Sequence, residues 1–541
     1  MDSIHRQGVT RQFTMTRLQD SFYYIPALFL LVSITSCGGN SSPERPDHLY
    51  ENQWHLKNTG QSGALIDEDL NVEPVWDSCA SADANTCRGE GVRVVVVDDG
   101  IQVAHPDLNA NILVAASYNY FTGGVDPSPY YTNSAHGTAV AGIVAARDFN
   151  SIGGRGVAPR TTLAGYNLLE SAQSDTNEAD AMTRNRVDVD VSSNSWGAPD
   201  YFGEPSPASL LWQTAIETGL SEGRNGRGTI YVWAGGNGQG IDNSNYDGMA
   251  NYRGVMAVAA VDERGRQTSY SEPGANLLVS APAGGSCGRG ELAITTTDLL
   301  GNRGQNPTSG ISDYADQNYT KCMSGTSAAT PMVSGVVALM LQANPNLGWR
   351  DVRQILAESA RKNDPTDPDW TINQAGLNIN HKYGFGVVDA DAAVRLAKAW
   401  TNISGVQVSY ASPEHSPAIK NIPDNTGAWK EDVILISASP VSTIEFVEIK
   451  FTADHPYSGD LEIILTSPSG TESVLAEEHV CYDPLADLVA VSCVPYSGWV
   501  FGTVRHLGET QINGNWTLTV RDLATDDEGT FESWQITIYG H

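Results

Sequence analysis

Basic side chains are scarce in this chain: 32 Lys and Arg stand against 63 Asp and Glu in 541 residues, a formal charge of −31. Nucleic-acid backbones are gripped by clustered Lys and Arg, so this balance excludes nucleic acid as a partner. An acidic excess fits a basic substrate, divalent cations, a salty habitat or plain solubility, and the total does not choose among them. Long internal repeats and low-complexity tracts are missing, and no cysteine or histidine cluster has the spacing of a zinc site. Beyond residue 37 no segment reads as long and apolar enough to span a bilayer, which takes ~20 residues. Apolar material is ample, however. The 40% hydrophobic content can fill large cores, and at ~150 residues per unit the length suggests about three units.

Tyr23 to Ile34 form a mostly apolar run too short for a bilayer span, preceded by Arg17 and followed by Thr35-Ser36-Cys37. A short apolar run ending in small residues predicts an export signal. Ile34-Thr35-Ser36-Cys37 is also similar to the bacterial lipobox, in which the signal is cut before a cysteine that receives lipid. Residues 1–36 are therefore expected to be a lipoprotein signal, with Met15 as a start that leaves an n-region of ordinary length. Residues 37–46, containing Gly38-Gly39-Asn40-Ser41-Ser42, are expected to be a flexible tether. The expected location is a membrane, outer membrane or cell surface, reached by export and held through lipid on Cys37. Six of the 7 cysteines then remain, and an oxidising compartment favours pairing them. Sequence neighbours suggest Cys79–Cys87, Cys287–Cys322 and Cys481–Cys493, one among the many connectivities that six cysteines allow.

Between about 91 and 400, strand-like apolar runs alternate with helical stretches. Val92 and Val94 to Val97 read as a buried parallel strand ending at Asp98-Asp99-Gly100, and Ile230 to Ala234 as another, ending at Gly235-Gly236-Asn237. Thr138 to Ala146 reads as a helix after His136-Gly137, and Thr326 to Gln342 as a long helix with Pro331 near its start. This alternation predicts an α/β domain, a parallel sheet with helices on both faces. After Trp400 the pattern changes. Glu445–Thr452, Leu461–Thr466, Trp516–Val520 and Trp534–Tyr539 alternate as half-buried strands, separated by turn signals such as Pro468-Ser469-Gly470 and Asn513-Gly514-Asn515. They predict an all-β sandwich or barrel.

Three segments put a reactive side chain where a strand end or loop meets a helix start: Val97-Asp98-Asp99-Gly100, Ser134-Ala135-His136-Gly137-Thr138 and Ser324-Gly325-Thr326-Ser327-Ala328. Serine needs a base to become a nucleophile, and histidine needs an orienting carboxylate. In this order the segments closely resemble those of the subtilisin superfamily of serine proteases. The resemblance implies Asp98 as orienting acid, His136 as general base, Ser327 as nucleophile and Asn237 as side-chain donor to the oxyanion, beside the Ser327 N–H.

Asp98-Asp99-Gly100, Ser193-Asn194-Ser195-Trp196-Gly197-Ala198-Pro199-Asp200 and Tyr246-Asp247-Gly248 further resemble the kexin and furin branch, the proprotein-convertase-like proteases. Tyr457-Ser458-Gly459-Asp460-Leu461, Leu465 to Thr471, Gly514-Asn515-Trp516 and Trp534 are similar to that branch's C-terminal P domain, a sandwich or jelly roll. The resemblance implies a subtilisin-like catalytic domain over 47–400 and a P domain over 403–541. It also implies that Asp200 and Asp247 sit at the base of the pocket for P1, the residue before the scissile bond. There they would favour Arg or Lys, with Asp99 meeting a basic P2 residue and Glu178 one further out. Asn133 stands where furin-like enzymes carry another acid, so the P2 preference should fall short of a strict dibasic rule.

The same resemblance implies calcium (Ca2+). One site would use Asp47, Asp107 and Asn150 with the carbonyls of Arg147, Ile152 and Gly154, and a second Asp200, Asp242 and Glu272. Only about ten residues separate Cys37 from Asp47, where convertases carry a pro-region. Folding is then unaided or assisted by a separate helper or inhibitor protein. The expected function is a calcium-stabilised serine endopeptidase acting on proteins or peptides with basic residues. The alternatives are a broad degradative protease, and a surface adhesion or targeting protein acting through its P domain.

Overall fold

Every residue of the valine-rich segment after Arg93 is buried, and it forms the strand Arg93–Asp98, β1. The computed structural model describes residues 47–78, 87–425, 428–483 and 489–541. The expected signal, the tether with Cys37, and Cys79 lie outside these residues. With β1, the strands Tyr118–Asn119 (β2), Thr162–Asn167 (β3), Val191–Asn194 (β4), Ile230–Ala234 (β5), Val255–Val261 (β6) and Leu277–Pro282 (β7) form one sheet. Its order is β2-β3-β1-β4-β5-β6-β7, and its pairings are parallel.

Register explains why these strands are buried along nearly their whole length. Ser192 pairs with Tyr231 and Ser193 with Val232, so each couple points to one face. Ser193 meets Ser334 of the helix Thr326–Ala343 at 2.9 Å, whereas the Tyr231 hydroxyl donates to Met182 O of the helix Asp175–Thr183 at 2.6 Å. Helices thus cover both faces, and no strand face is left open to water, so the few polar strand residues, such as Ser193, bond inside the protein. The chain order reverses about β1, whose neighbours are β3 and β4. Carboxyl ends of strands at such a switch point are where open α/β sheets place their sites. Asp98 ends β1, Asn194 ends β4 just before Ser195, and Ala234 ends β5 just before Gly235-Gly236-Asn237.

Three sequence expectations need correction. The helix expected from Thr138 begins at His136, because the Asp99 carboxylate accepts the N–H groups of His136 (3.1 Å) and Gly137 (2.7 Å) and satisfies two otherwise unpaired donors. The 18-residue helix Thr326–Ala343 is long and apolar enough to cross a bilayer, yet 83% of that stretch is buried inside the protein, so its apolarity serves the core. Pro331 is the sixth residue of that helix rather than part of its first turn. It lacks the N–H that would bond Ser327 O. The Ser195 hydroxyl takes the vacated place, donating to Ser327 O at 3.0 Å.

Beyond residue 400 the four expected strands form, and three run longer, as Ile444–Asp454, Gly514–Asp522 and Gly529–Gly540. One antiparallel sheet orders Val408–Ala411, Gly529–Gly540, Ile444–Asp454 and Tyr496–Thr503, and a second Lys430–Ile436, Gly514–Asp522, Leu461–Thr466 and Glu472–Ala476. Ile449, Phe451 and Trp534 of the first share one core with Ile463, Trp516 and Leu518 of the second. Two sheets facing across one core make a sandwich and not a barrel. Tyr246 and Ala275 of the α/β part enter that core. Asn245 Oδ1 accepts the Gly502 N–H at 2.8 Å, and Arg350 pairs with Glu445. The bonds Cys287–Cys322 and Cys481–Cys493 are formed as expected.

Candidate active site

Asp98 is fully buried at the end of β1, and both its oxygens face His136 Nδ1, at 2.8 and 3.0 Å. Burial alone would lower the histidine's pKa. The charge of Asp98, its hydrogen bond and the charge of Asp99 outweigh that and raise it above the ordinary range. Asp99 is pushed up in turn, by burial and by the neighbouring Asp98 charge. Its two oxygens hold the start of the His136 helix, so it fixes the histidine's backbone as well as its electrostatics.

Ser327 is the second residue of its helix, behind Gly325, whose φ of 91° lies in the left-handed region that glycine tolerates. The Ser327 hydroxyl donates to Ser195 O at 3.2 Å while its own carbonyl receives the Ser195 hydroxyl. Rotation of the side chain off that carbonyl would free its proton for a base. Asn237 commits its amide oxygen to Thr326, accepting from N at 2.8 Å and from Oγ1 at 3.1 Å. That leaves its NH2 as the donor for the site. Its backbone N–H donates to Asp200 Oδ1 at 2.8 Å.

A cavity of about 260 Å3 opens beside Ser327 and Asn237, walled by Ser195 to Asp200, Ala234, Gly236 and Asp247. Asp247 is anchored by backbone donors: Ala198 N–H at 2.9 Å on one oxygen, Met249 N–H at 2.7 Å and Ala250 N–H on the other. Burial outweighs these bonds and raises its pKa, with the charge of Asp200 adding to the rise. A Cβ on Gly197 would come within 2.3 Å of Asp247 Oδ2, so the cavity wall has no room for a side chain there. Glu178 lies on the Asp175–Thr183 helix, its pKa raised by burial and by Asp175, and its carboxylate makes no hydrogen bond among the described residues.

Asp242 and Glu272 converge with Asp200 on the turn after β5. Glu272 accepts Gly238 N–H at 2.9 Å, and Asp242 accepts the N–H groups of Tyr201 and Gly203. A Cβ at Gly236 would stand 2.2 Å from Glu272 Oε1, and one at Gly238 2.1 Å from Asp242 Oδ2. Burial raises the pKa of both acids, with the charge of Asp200 adding at Asp242 and the charges of Asp242 and Asp200 adding at Glu272. Among the described residues no Lys or Arg forms an ion pair with Asp200, Asp242 or Glu272. The donors are all oxygen and the charge is uncompensated, which fits a hard divalent cation.

Asp47 and Asp107 are also brought together, both buried against the loop 147–154. Asp47 accepts from the backbone of Phe149 (2.9 Å) and Asn150 (3.1 Å), and Asp107 from Asn150 Nδ2 (2.6 Å). Burial, with the Asp47 charge adding, pushes Asp107 up to about 7. Two features differ from expectation. Asn150 turns its amide nitrogen to Asp107, so it must turn over to offer oxygen to a cation. Arg155, absent from the expected set, pairs with Asp47 at 2.8 Å and neutralises part of its charge. Sequence reasoning likewise passed over the pairing of Ser195 with Ser327, although Ser195 lies in a motif already singled out.

A family model described as the Subtilase family matches residues 89–386, and one described as Proprotein convertase P-domain matches 444–538. The chain is 34% identical over 504 residues to human Proprotein convertase subtilisin/kexin type 7, covering 91% of itself and 60% of that protein, and so spans well under two thirds of its length. To Neuroendocrine convertase 2 of Drosophila melanogaster it is 33% identical over 514 residues, 93% of this chain and 74% of the relative. Its fold is similar to the crystal structure of the Aeromonas sobria serine protease, with a TM-score of 0.81 and 28% identity over 94% of this chain and 99% of that one. The complex of that protease with a chaperone gives 0.82 and 29%, over 92% and 95%. With its triad-ordered motifs, parallel seven-stranded sheet and trailing β-sandwich, the chain belongs to the subtilase family, among the relatives of the proprotein convertases that carry a P domain.

Proposed function

We propose that the protein is a serine endopeptidase cleaving after Arg or Lys. The observation that carries this reading is the acid-floored cavity beside Ser327, with Asp247 held in place by three backbone N–H groups. Ser327 Oγ attacks the scissile carbonyl, and its proton passes to His136 Nε2, because Nδ1 is already held by Asp98. The oxyanion that forms is met by the Asn237 NH2 and the Ser327 N–H. The proton then passes to the leaving amine, and water releases the acyl group by the same relay. A P1 guanidinium or ammonium enters the cavity and offsets the Asp247 and Asp200 charges. Fluorogenic peptides that differ only at P1 test this: Arg and Lys should exceed Leu, and equal cleavage after Leu and Arg overturns the acidic pocket.

Asp99 gives the reading a pH signature. Its charge raises His136, so Asp99→Asn should lower the histidine's pKa and leave the base neutral at lower pH. The acidic limb of kcat/KM should then shift toward acid, and a limb that stays put or moves the other way contradicts the assignment. A preference for a basic P2 residue at Asp99, and for one further out at Glu178, belongs to the same proposal.

Calcium fits the oxygen sets around Asp200, Asp242 and Glu272 and around Asp47, Asp107 and Asn150. Bound there, it would compensate buried charge, and at the Asp200, Asp242 and Glu272 set it would hold the loops beside the cavity. Chelation by EDTA should lower the melting temperature by roughly 5 °C or more, and added calcium should restore it. An unchanged melting temperature counts against both sites. The proposal extends to an exported protein held at a membrane through lipid on Cys37. A separate folding helper also belongs to it, supported by the chaperone bound to the Aeromonas protease.

A further inference from the structure

The acids around the cavity are carried by two loops. Asp200 lies on the loop after β4, and Asp242 and Asp247 on the loop after β5. These loops bond to each other through the Tyr201 and Gly203 N–H groups on Asp242. The β-sandwich holds them from outside: the Gly502 N–H and Trp499 Nε1 bond to Asn245 on the second loop, and the short stretch 477–482 reaches both loops.

Three contacts make the hold. The His479 ring lies between two carbonyls, with Nε2 2.8 Å from Gly203 O on the first loop and Nδ1 2.8 Å from Glu477 O of its own stretch. The same ring lies 4.8 Å from the Tyr246 ring, with Nδ1 3.2 Å from the Tyr246 hydroxyl, and Tyr246 directly precedes Asp247. Glu477 accepts from Asn243 Nδ2 at 2.6 Å, and Asn243 directly follows Asp242. The Tyr482 N–H adds a backbone bond to Phe202 O at 3.0 Å. Close approach is built in on both sides. Gly203 has φ of 72°, and a Cβ there would come 2.7 Å from Val480 O and 2.9 Å from His479 Cδ2. The stretch is in turn held by its own backbone bond to Gly459, at 2.8 Å, and by the Cys481–Cys493 disulfide.

We infer that His479, supported by Glu477, is a positioning residue for the P1 pocket: it staples the two acid-bearing loops together, and selectivity for a cationic side chain depends on it. The inference rests on the reading of that pocket given above. A wandering loop would spread Asp200 and Asp247 over several positions, and a carboxylate pair recognises a planar guanidinium only when both partners are fixed. The effect should therefore fall on binding of a cationic P1 group more than on the chemistry at Ser327.

The test compares wild type, His479→Ala and His479→Gln on peptides with Arg or Leu at P1, together with benzamidine as a small cationic probe of the pocket. Loss of one buried hydrogen bond and its ring contact should lower the Arg-to-Leu ratio of kcat/KM about tenfold. The loss should appear in KM for the Arg peptide, and the benzamidine inhibition constant should rise in parallel. His479→Gln retains an N–H able to reach Gly203 O and should recover most of both. Ratios and inhibition constants do not depend on the fraction of enzyme folded, so a destabilised variant still reports. Should His479→Ala not fold at all, Glu477→Ala removes the Asn243 contact from the sandwich side, leaves the Asn243 cap on the Asn245 N–H in place, and should move the same two quantities in the same direction. A wild type without preference for Arg sinks the reading of the pocket itself. A wild type that prefers Arg, with variants that keep its ratio and its inhibition constant, sinks only the positioning role.

Discussion

Replacing Ser327 by Ala should abolish peptide hydrolysis, with kcat falling by on the order of 10^6 while the protein stays folded. The structure explains why the fold should survive. Among the described residues the Ser327 hydroxyl makes one hydrogen bond, to Ser195 O, and the bond that compensates for Pro331 uses the Ser327 carbonyl, which alanine keeps. The helix start is secured separately, by Thr326 on Asn237. Melting temperature should therefore move by a degree or two at most, since a half-exposed hydroxyl contributes ~1 kcal/mol or less. His136→Ala should be nearly as severe for kcat, because a nucleophile and its base act as one unit. Turnover retained within tenfold in pure Ser327→Ala would remove Ser327 from the mechanism.

Asp247→Asn should lower kcat/KM for Arg and Lys substrates by about 30-fold or more while leaving Leu substrates much less affected. Truncating one partner of a desolvated charge pair costs ~2–5 kcal/mol. Asn is nearly the same size and keeps one carbonyl oxygen, but its NH2 would face one of the backbone donors that now bind a carboxylate oxygen. Ala198 N–H sits on one side and Met249 and Ala250 N–H on the other, so whichever way the amide turns, a donor meets a donor. Part of the loss will therefore come from a displaced loop. Measuring Leu substrates in the same variant separates the two parts, because displacement reaches both substrates and lost charge only the cationic ones. A variant that keeps full selectivity for Arg would shift the recognition to Asp200 or deny an acidic pocket altogether.

How much of this was legible in the chain depends on how local the chemistry is. The strand ending in Asp98, the strand ending before Asn237 and the helix carrying Ser327 could be read directly. Each is a short stretch whose apolar run and glycines determine its conformation. The early start of the His136 helix was less visible, although its cause, Asp99, was in view. The Asp99 carboxylate, 37 residues away in sequence and expected to meet substrate, also accepts the first N–H groups of the helix. Contacts between distant segments that neither cysteine order nor the family resemblance implied were not legible. Ser195 reaches Ser327 across 132 residues, because a proline left a carbonyl unpaired. Arg155 meets Asp47 across 108 residues, and His479 meets Gly203 across 276. Such pairs depend on how the sheets and the sandwich come together, and no local pattern encodes that. The opening surplus of acids illustrates the same limit. Its total allowed a basic substrate and a divalent cation, but only the convergence of Asp200, Asp242, Asp247 and Glu272 around one turn argues for either.

The most direct measurement is cleavage-site profiling: the purified protein acts on a diverse peptide library, with Ser327→Ala as the control, and the new termini are read by mass spectrometry. Fragments ending in Arg or Lys should dominate, and the control should produce none. Cleavage spread evenly over P1 residues, or fragments that persist with the control, would contradict the proposal.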